Sequence, residues 1–284
     1  MKDKEFSVEE FSFKGVKSAI KGAFTRLFEA YGNFERQTVQ ISDISGDRDE
    51  DLESLDLATL SNFAERKIID LAIRGKLTKR EKGDEPAAEL LSRIAAKKRK
   101  LAAAKKLRKL DAYHPISDDE TPFDELPSGW SWCRFGDVID YVQPTEYIVR
   151  DTNYDDSYAT PVLTAGQSFV LGYTNEKDHH FKASKEQPVI IFDDFTTSTQ
   201  WVDFEFKVKS SAMKILVPFE GCDICMRYVF MAIRNNPFRP STHARHWIDK
   251  YAKFVLPLPP LAEQKRIVAR VDELLVECRK MRGE

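Results

Sequence analysis

Long apolar runs are absent: none approaches the roughly 18 to 20 residues that a membrane-crossing helix needs, so no such helix and no membrane partner are expected. The opening MKDKEFSVEEF lacks the apolar core of a secretory signal. Cysteine is scarce. Cys133, Cys222, Cys225 and Cys278 lie scattered through 284 residues, which points to reduced thiols in the cytoplasm rather than a disulfide framework. An excess of one charge sign is also missing, since the formal net charge is -2. Near-neutrality neither argues for nucleic acid nor against it; what counts is whether the charges are segregated along the chain. The 42% hydrophobic and 32% charged residues that remain describe a globular chain with ample core for one or two domains.

The charges are indeed segregated. Residues 7–31 place Phe13, Val16, Ile20, Phe24, Leu27 and Phe28 near a helical period, although Gly15 and Gly22 weaken it. Residues 43–56, DISGDRDEDLESLD, read as a solvated acidic loop. A helix follows over 57–74, with Leu60, Phe63, Ala64, Ile68, Leu71 and Ala72 on one side and Gly75 at the stop position. Pro86 then opens PAAELLSRIAAKKRKLAAAKKLRKL, whose composition favours helix. Its Arg93, Lys97, Lys98, Arg99, Lys100, Lys105, Lys106, Arg108 and Lys109 would make a cationic rod suited to a phosphate backbone. The same pattern is equally that of lysines facing water. Residues 111–126 contain proline and acidic groups without clear period, and read as a linker.

Residues 127–258 change character. Pro127 and Gly129 mark a turn, and Trp130, Trp132 and Phe135 supply large apolar anchors. Strand-like runs follow at 160–166, 168–173, 187–192, 201–208 and 212–217. In the run over 201–208, Asp203, Glu205 and Lys207 alternate with Val202, Phe204, Phe206 and Val208, as on a half-exposed strand. Asp223 is placed to cap a helix over 224–235. The expected fold class is α+β: a mixed, mostly-β domain flanked by helices.

Three stretches combine hydrogen-bonding groups with little core duty, as loops held on a rigid scaffold often do. They hold Gln143, Thr145 and Tyr147; Thr164, Gln167 and Ser168; and Thr197, Ser198, Thr199 and Gln200. Glutamine can read adenine bidentately, and hydroxyls can reach bases or phosphates. Arg234, Arg239, His243, Arg245 and His246, with Lys207, Lys209 and Lys214, are candidates for phosphate contacts. Ordinary turn chemistry uses Thr, Ser and Gly as well.

Three catalytic or metal patterns compete. Asp193, Asp194, Glu205 and Lys207 imitate the Asp…Glu-x-Lys set of metal-dependent nucleases, with Asp194, Glu205 and Lys207 as the working trio. The alternation of 201–208 explains Glu205 and Lys207 without catalysis. Cys222 and Cys225 with His243 and His246 suggest zinc, but only two residues separate the histidines. Asn235-Asn236-Pro237-Phe238 approaches the Asn-Pro-Pro-aromatic motif of adenine methyltransferases, yet lacks one proline and any glycine-rich strand-to-helix turn. No catalytic or metal-binding residue is therefore assigned.

The chain closes with LPLPPLAEQKRIVARVDELLVECRKM over 256–281. Pro260 suits the first helical position, and Glu263 and Gln264 suit the positive end of the helix dipole. Leu261, Ile267, Val268, Val271, Leu274, Leu275, Cys278 and Met281 then form one apolar stripe, which requires a second helix. PLPPLAEQKRIVARVDELL resembles the helix that follows a target-recognition domain in specificity subunits of type I restriction–modification enzymes. AIRGKLTKREKGDEPAAELLSRI is similar to the segment preceding the first such domain, and LPSGWSWCRFGDVID to its opening. IIFDDFTTSTQWVDFEFKVKSSAMKIL resembles variants of the domain itself. The resemblance covers roughly 57–281, and residues 1–55 match nothing recognisable.

The resemblance implies a non-catalytic subunit that reads half of a split double-stranded DNA target. It would dock methyltransferase (M) and restriction (R) subunits through helices that pair as a coiled coil, using Leu261, Ile267, Val268, Val271, Leu274, Leu275 and Cys278. S-adenosylmethionine, ATP and Mg²⁺ would belong to those partners, with no cofactor in this chain. Expected divisions are a helical extension (1–55), helices with an acidic linker (56–126), the target-recognition domain (127–258) and the start of a spacer helix (259–284). The family carries two recognition domains where one is visible here, so a half-length subunit, joined head to tail as a homodimer through the uncovered stripe, is a further expectation. A non-reading regulatory or anti-restriction protein on the same scaffold is the rival.

Overall fold

The computed structural model describes residues 5–6, 39–40, 57–107, 113–166, 168–236, 238–241 and 244–282. The expected helix over 7–31 and the acidic loop over 43–56 lie outside them. In chain order the elements begin with β1 (Glu5–Phe6), β2 (Val39–Gln40), α1 (Leu57–Ile73), α2 (Ala87–Ala103), β3 (Ser131–Arg134), α3 (Phe135–Val138) and β4 (Ile139–Val142). There follow β5 (Thr160–Leu163), β6 (Val170–Thr174), β7 (Val189–Asp193), β8 (Thr199–Val202), β9 (Lys207–Val208) and β10 (Met213–Pro218). The chain then forms α4 (Met226–Asn235), α5 (His246–Asp249), β11 (Val255–Leu258) and α6 (Leu261–Arg282). The fold is α+β, and it divides into two compact units, residues 1–79 with 265–284, and residues 80–264.

In the first unit α1 and α6 run antiparallel. Ser61 near the start of α1 donates to the carbonyl of Cys278 near the end of α6 (2.9 Å), and Arg266 reaches the carbonyl of Lys79 (3.4 Å). Phe63, Ala64, Ile68, Leu71 and Ala72 on α1 are buried, as are Ile267, Val271, Leu274 and Cys278 on α6. Gly75, at φ 67°, ends α1 with a left-handed turn in which the N–H of Lys76 bonds the carbonyl of Leu71 (2.8 Å).

The second unit is built on the antiparallel sheet β4–β10–β7–β8, beside the smaller sheets β6–β5–β9 and β11–β3. Val189-Ile190-Ile191-Phe192 is buried along its whole length, because both faces of the main sheet are covered. One face presents Val189, Ile191, Val202, Met213 and Ile215 to Leu163, Phe206 and Val208 of the β6–β5–β9 side. On the other, Phe192 meets the rings of Trp247 (5.4 Å) and Tyr251 (4.9 Å), and Trp201 meets Phe230 of α4 (5.9 Å).

Several expectations need correcting. Residues 201–208 are two strands: β8 pairs with β7, and β9 pairs in parallel with β5. The alternation fails because Lys207 is buried at 1% exposure, with its ammonium 2.8 Å from Glu176 and 3.0 Å from the carbonyl of Asp178. Asp223 does not cap α4; the N-cap is Cys225. The basic helix stops at Ala103, where Lys105 turns left-handed at φ 55°, well short of residue 110. The linker is folded onto the domain: Arg134 bonds both oxygens of Glu120 (2.8 and 3.0 Å) and the carbonyl of His114 (3.2 Å). Tyr113 lies so close to Gly136 that a Cβ there would collide with its hydroxyl.

Candidate nucleic-acid interface

The strand order decides which loops meet. β4 ends at Val142, β7 ends at Asp193, β8 begins at Thr199 and β10 begins at Met213, and the antiparallel registers put all four points at one end of the main sheet. Segments 143–147, 194–198 and 209–212 emerge there. The 164–168 turn joins them, since Gln200 Nε2 donates to the carbonyl of Gly166 (3.4 Å) and the N–H of Lys209 bonds the carbonyl of Leu163 (3.1 Å). The start of α5 reaches the same end through the N–H of His246 on the carbonyl of Asp194 (2.8 Å).

The β7–β8 turn is locally over-determined. Asp193 Oδ1 accepts the N–H groups of Phe195 (2.9 Å) and Thr196 (2.8 Å), the turn chemistry that Asp favours. Thr197 sits at φ 60°, a strained position for a β-branched residue. Burial raises the Tyr251 pKa, and the neighbouring Thr197 side chain and Arg239 charge oppose the rise.

Behind the turn lies a buried ion pair, Lys214 Nζ 3.1 Å from Asp194 Oδ2, with side chains 2% and 1% exposed. The same ammonium donates to Gln143 Oε1 (2.8 Å), and Gln143 Nε2 donates to the carbonyl of Ser211 (3.3 Å). Asp194 Oδ1 accepts the N–H of Trp247 (2.8 Å).

Residue by residue, the candidates separate. Thr145 and Ser168 are exposed, and Thr197, Ser198, Thr199 and Gln200 are half-buried at the sheet end. The Thr164 hydroxyl closes its own turn, donating to the carbonyl of Ser168 (3.0 Å). Lys209 is exposed, its ammonium 5.9 Å from the Tyr154 ring centroid. Arg239 is exposed but folds back on the carbonyls of Asn236 (3.2 Å) and Phe238 (2.9 Å). Arg245 is exposed, at the N-cap of α5. Gln167 and His243 lie outside the described residues. Gln143 is engaged inside the protein, and Tyr147 packs edge-on against Phe181 (5.1 Å), so neither presents a free side chain as expected. His246, Lys207 and Lys214 are buried and leave the group of phosphate candidates, because each is tied to an internal partner.

The nuclease trio does not converge. Asp194 pairs with Lys214, Glu205 with Lys182 (2.5 Å) and Lys207 with Glu176, three separate partners. Among the described residues no group of three or more His, Cys, Asp or Glu is arranged to hold a metal ion. The docking stripe also changes meaning. Ile267, Val271, Leu274 and Cys278 are buried within this chain, and Leu261, Val268 and Leu275 are half-buried.

Glu263 and Gln264 were missed as functional residues of the fold. Glu263 Oε2 accepts the indole N–H of Trp130 (3.1 Å). Gln264 Oε1 accepts the N–H of Cys225 at the head of α4 (3.0 Å), and its Nε2 donates to the carbonyl of Pro259 (2.9 Å). Their adjacency after a proline pair was the available signal.

The second unit is thus an α+β module that presents loops from several strands at one sheet end. No family model matches the chain. Over 151 residues it is 44% identical to the Escherichia coli type I restriction enzyme EcoR124I/EcoR124II specificity subunit, covering 50% of this chain and 37% of that one. It is 29% identical over 243 residues to the E. coli EcoAI specificity subunit, covering 76% and 40%. A 72-residue stretch is 49% identical to the E. coli EcoEI specificity subunit, covering 25% and 12%. Among solved structures, the HsdS subunit from Thermoanaerobacter tengcongensis aligns at 16% identity over 69% of this chain and 50% of that one, with a TM-score of 0.41, below the level that defines a shared fold. The chain is a homologue of type I restriction enzyme specificity subunits, and it spans about two fifths of the length of the first two of these relatives. Among the described residues no helix is long and apolar enough to cross a membrane.

Proposed function

We propose that this chain is a non-catalytic, sequence-specific DNA-binding subunit of a type I restriction–modification system. It reads half of a split double-stranded target through the loop end of its main sheet, and docks methyltransferase and restriction subunits in the cytoplasm. S-adenosylmethionine, ATP and Mg²⁺ are bound and used by those partners. The observation that carries the reading is the convergence of the 143–147, 164–168, 194–200 and 209–212 segments at one sheet end, in a chain whose relatives are specificity subunits. Several hydrogen-bonding loops on one rigid edge suit base readout, with exposed Lys209 and Arg245 available to phosphates.

The uncovered stripe that motivated a homodimer is not uncovered, since α1 lies along α6. A second copy is therefore called for only by a symmetric DNA target. The test is co-expression with a methyltransferase subunit from the same genomic neighbourhood, followed by mapping of adenine methylation in host DNA. Methylation at one split motif supports the reading. A stable complex without methylation overturns it in favour of a regulator.

A further inference from the structure

We infer that Asp194 is a positioning residue: it holds four segments at the sheet end in one arrangement, and thereby sets how sharply that end discriminates between base sequences. The second half of this inference rests on the DNA-reading function proposed above; the first does not.

Asp194 uses every polar group it has on two other stretches of chain, 212–214 and 246–247. Its N–H donates to the carbonyl of Ala212 (2.9 Å), and its own carbonyl accepts the N–H of His246 (2.8 Å). Oδ1 accepts the N–H of Trp247 (2.8 Å), and Oδ2 faces Lys214 Nζ at 3.1 Å. Through Lys214 the connection extends to Gln143, and through Gln143 to Ser211. The carboxylate itself ties the 194–199 turn to 245–249 through Trp247 and, by way of Lys214 and Gln143, to 143–147 and Ser211, while the Asp194 main chain adds a second link to 209–212 and to His246.

Such a group is a poor choice for stability alone. Desolvating a carboxylate and an ammonium offsets much of their attraction, and an apolar pair of the same volume packs as well. Oδ2 has no aligned hydrogen-bond donor, so charge rather than hydrogen-bond geometry holds it opposite Lys214. What an apolar pair lacks is direction: it could not fix the 194–199 turn to both α5 and the end of β4. Readout by side chains on loops needs that fixing, because recognition geometry tolerates errors of only about 0.5 Å.

The test uses the full chain and two variants, Asp194→Asn and Gln143→Leu, in amide hydrogen exchange. Asp194→Asn should speed exchange about tenfold or more in all four segments together, and leave β5, β6 and α1 unchanged. Gln143→Leu, at the outer end of the network, should do so only in 143–147 and 209–212. Acceleration confined to 194–199 in the first variant overturns the positioning role. Should Asp194→Asn lose protection throughout the second unit, Gln143→Leu decides: no change outside its own segment overturns the inference. In the co-expressed system, Asp194→Asn should keep methylation but broaden the motif by about tenfold relaxation at one or more positions. Loosened loops with an unchanged motif overturn the discrimination half. A wild-type chain that directs no motif at all refutes the DNA-reading function instead, and the exchange pattern still decides whether Asp194 positions the loops.

Discussion

The indole N–H of Trp130 donates to Glu263 Oε2 at 3.1 Å across 133 residues of chain, with both side chains buried. The next residue, Gln264, is also fully buried and accepts the N–H of Cys225, the N-cap of α4. Glu263 and Gln264 therefore do more than complement a helix dipole. They clasp Trp130, just before β3, and Cys225, at the head of α4, to the first turn of α6.

Breaking that clasp should be costly. Glu263→Leu leaves a buried indole N–H without an acceptor, and should lower stability by about 1–3 kcal/mol in urea denaturation. Gln264→Ala removes partners from Cys225 and Pro259 and should cost a similar amount. An unchanged midpoint in both variants would show that the clasp contributes nothing.

Gly136→Ala tests the docking of the linker. The added methyl meets the Tyr113 hydroxyl and lies 3.1 Å from the carbonyl of Ala252, backbone that cannot swing aside. A loss of about 1–3 kcal/mol is expected, as for other overpacked sites. Adding Tyr113→Ala should recover only the linker part of the loss.

Acid should weaken the second unit in a defined window. Burial works against the Glu176 carboxylate, but Lys207 and the N–H groups of Asp151 and Arg150 outweigh it and hold the pKa at about 2, down from 4.5. Arg134 and Ser117 hold Glu120 at about 2 as well. A depressed carboxyl stabilises the fold fully above its unfolded value, and that stability is lost as pH falls from 4.5 towards 2. Replacing Lys207 with Met should flatten this acid limb of the stability curve and lower stability at neutral pH by about 3 kcal/mol. A curve parallel to that of the wild type would refute the assignment.

Salt dependence should separate exposed from buried cations. Arg245→Ala is expected to weaken DNA binding across all sequences and to reduce the salt slope by about one. Lys214→Met should change stability with no such change in slope, since Lys214 faces Asp194 inside the protein.

Much of the fold was legible because local physics wrote it. The apolar period of α1, its Gly75 stop, the β-branched cores of β5, β6, β7 and β10, and the α+β class all follow from side chains and turns adjacent in sequence. The short strands β3, β4 and β11 were not legible, because each is four residues long and is defined by a partner far away in the chain. The same limit governs the site. The loops rich in Gln, Thr and Ser could be named from sequence, and their meeting at one sheet end could not, because strand order is a tertiary fact. Charge was the least legible property. Lys207 and Lys214 have the sequence signature of surface lysines, yet Glu176 and Asp194, distant along the chain, draw them into the interior. Sequence sets which groups are present and which short elements they form. Only the packed structure decides which charges face one another out of water, and so which remain on the surface for a partner.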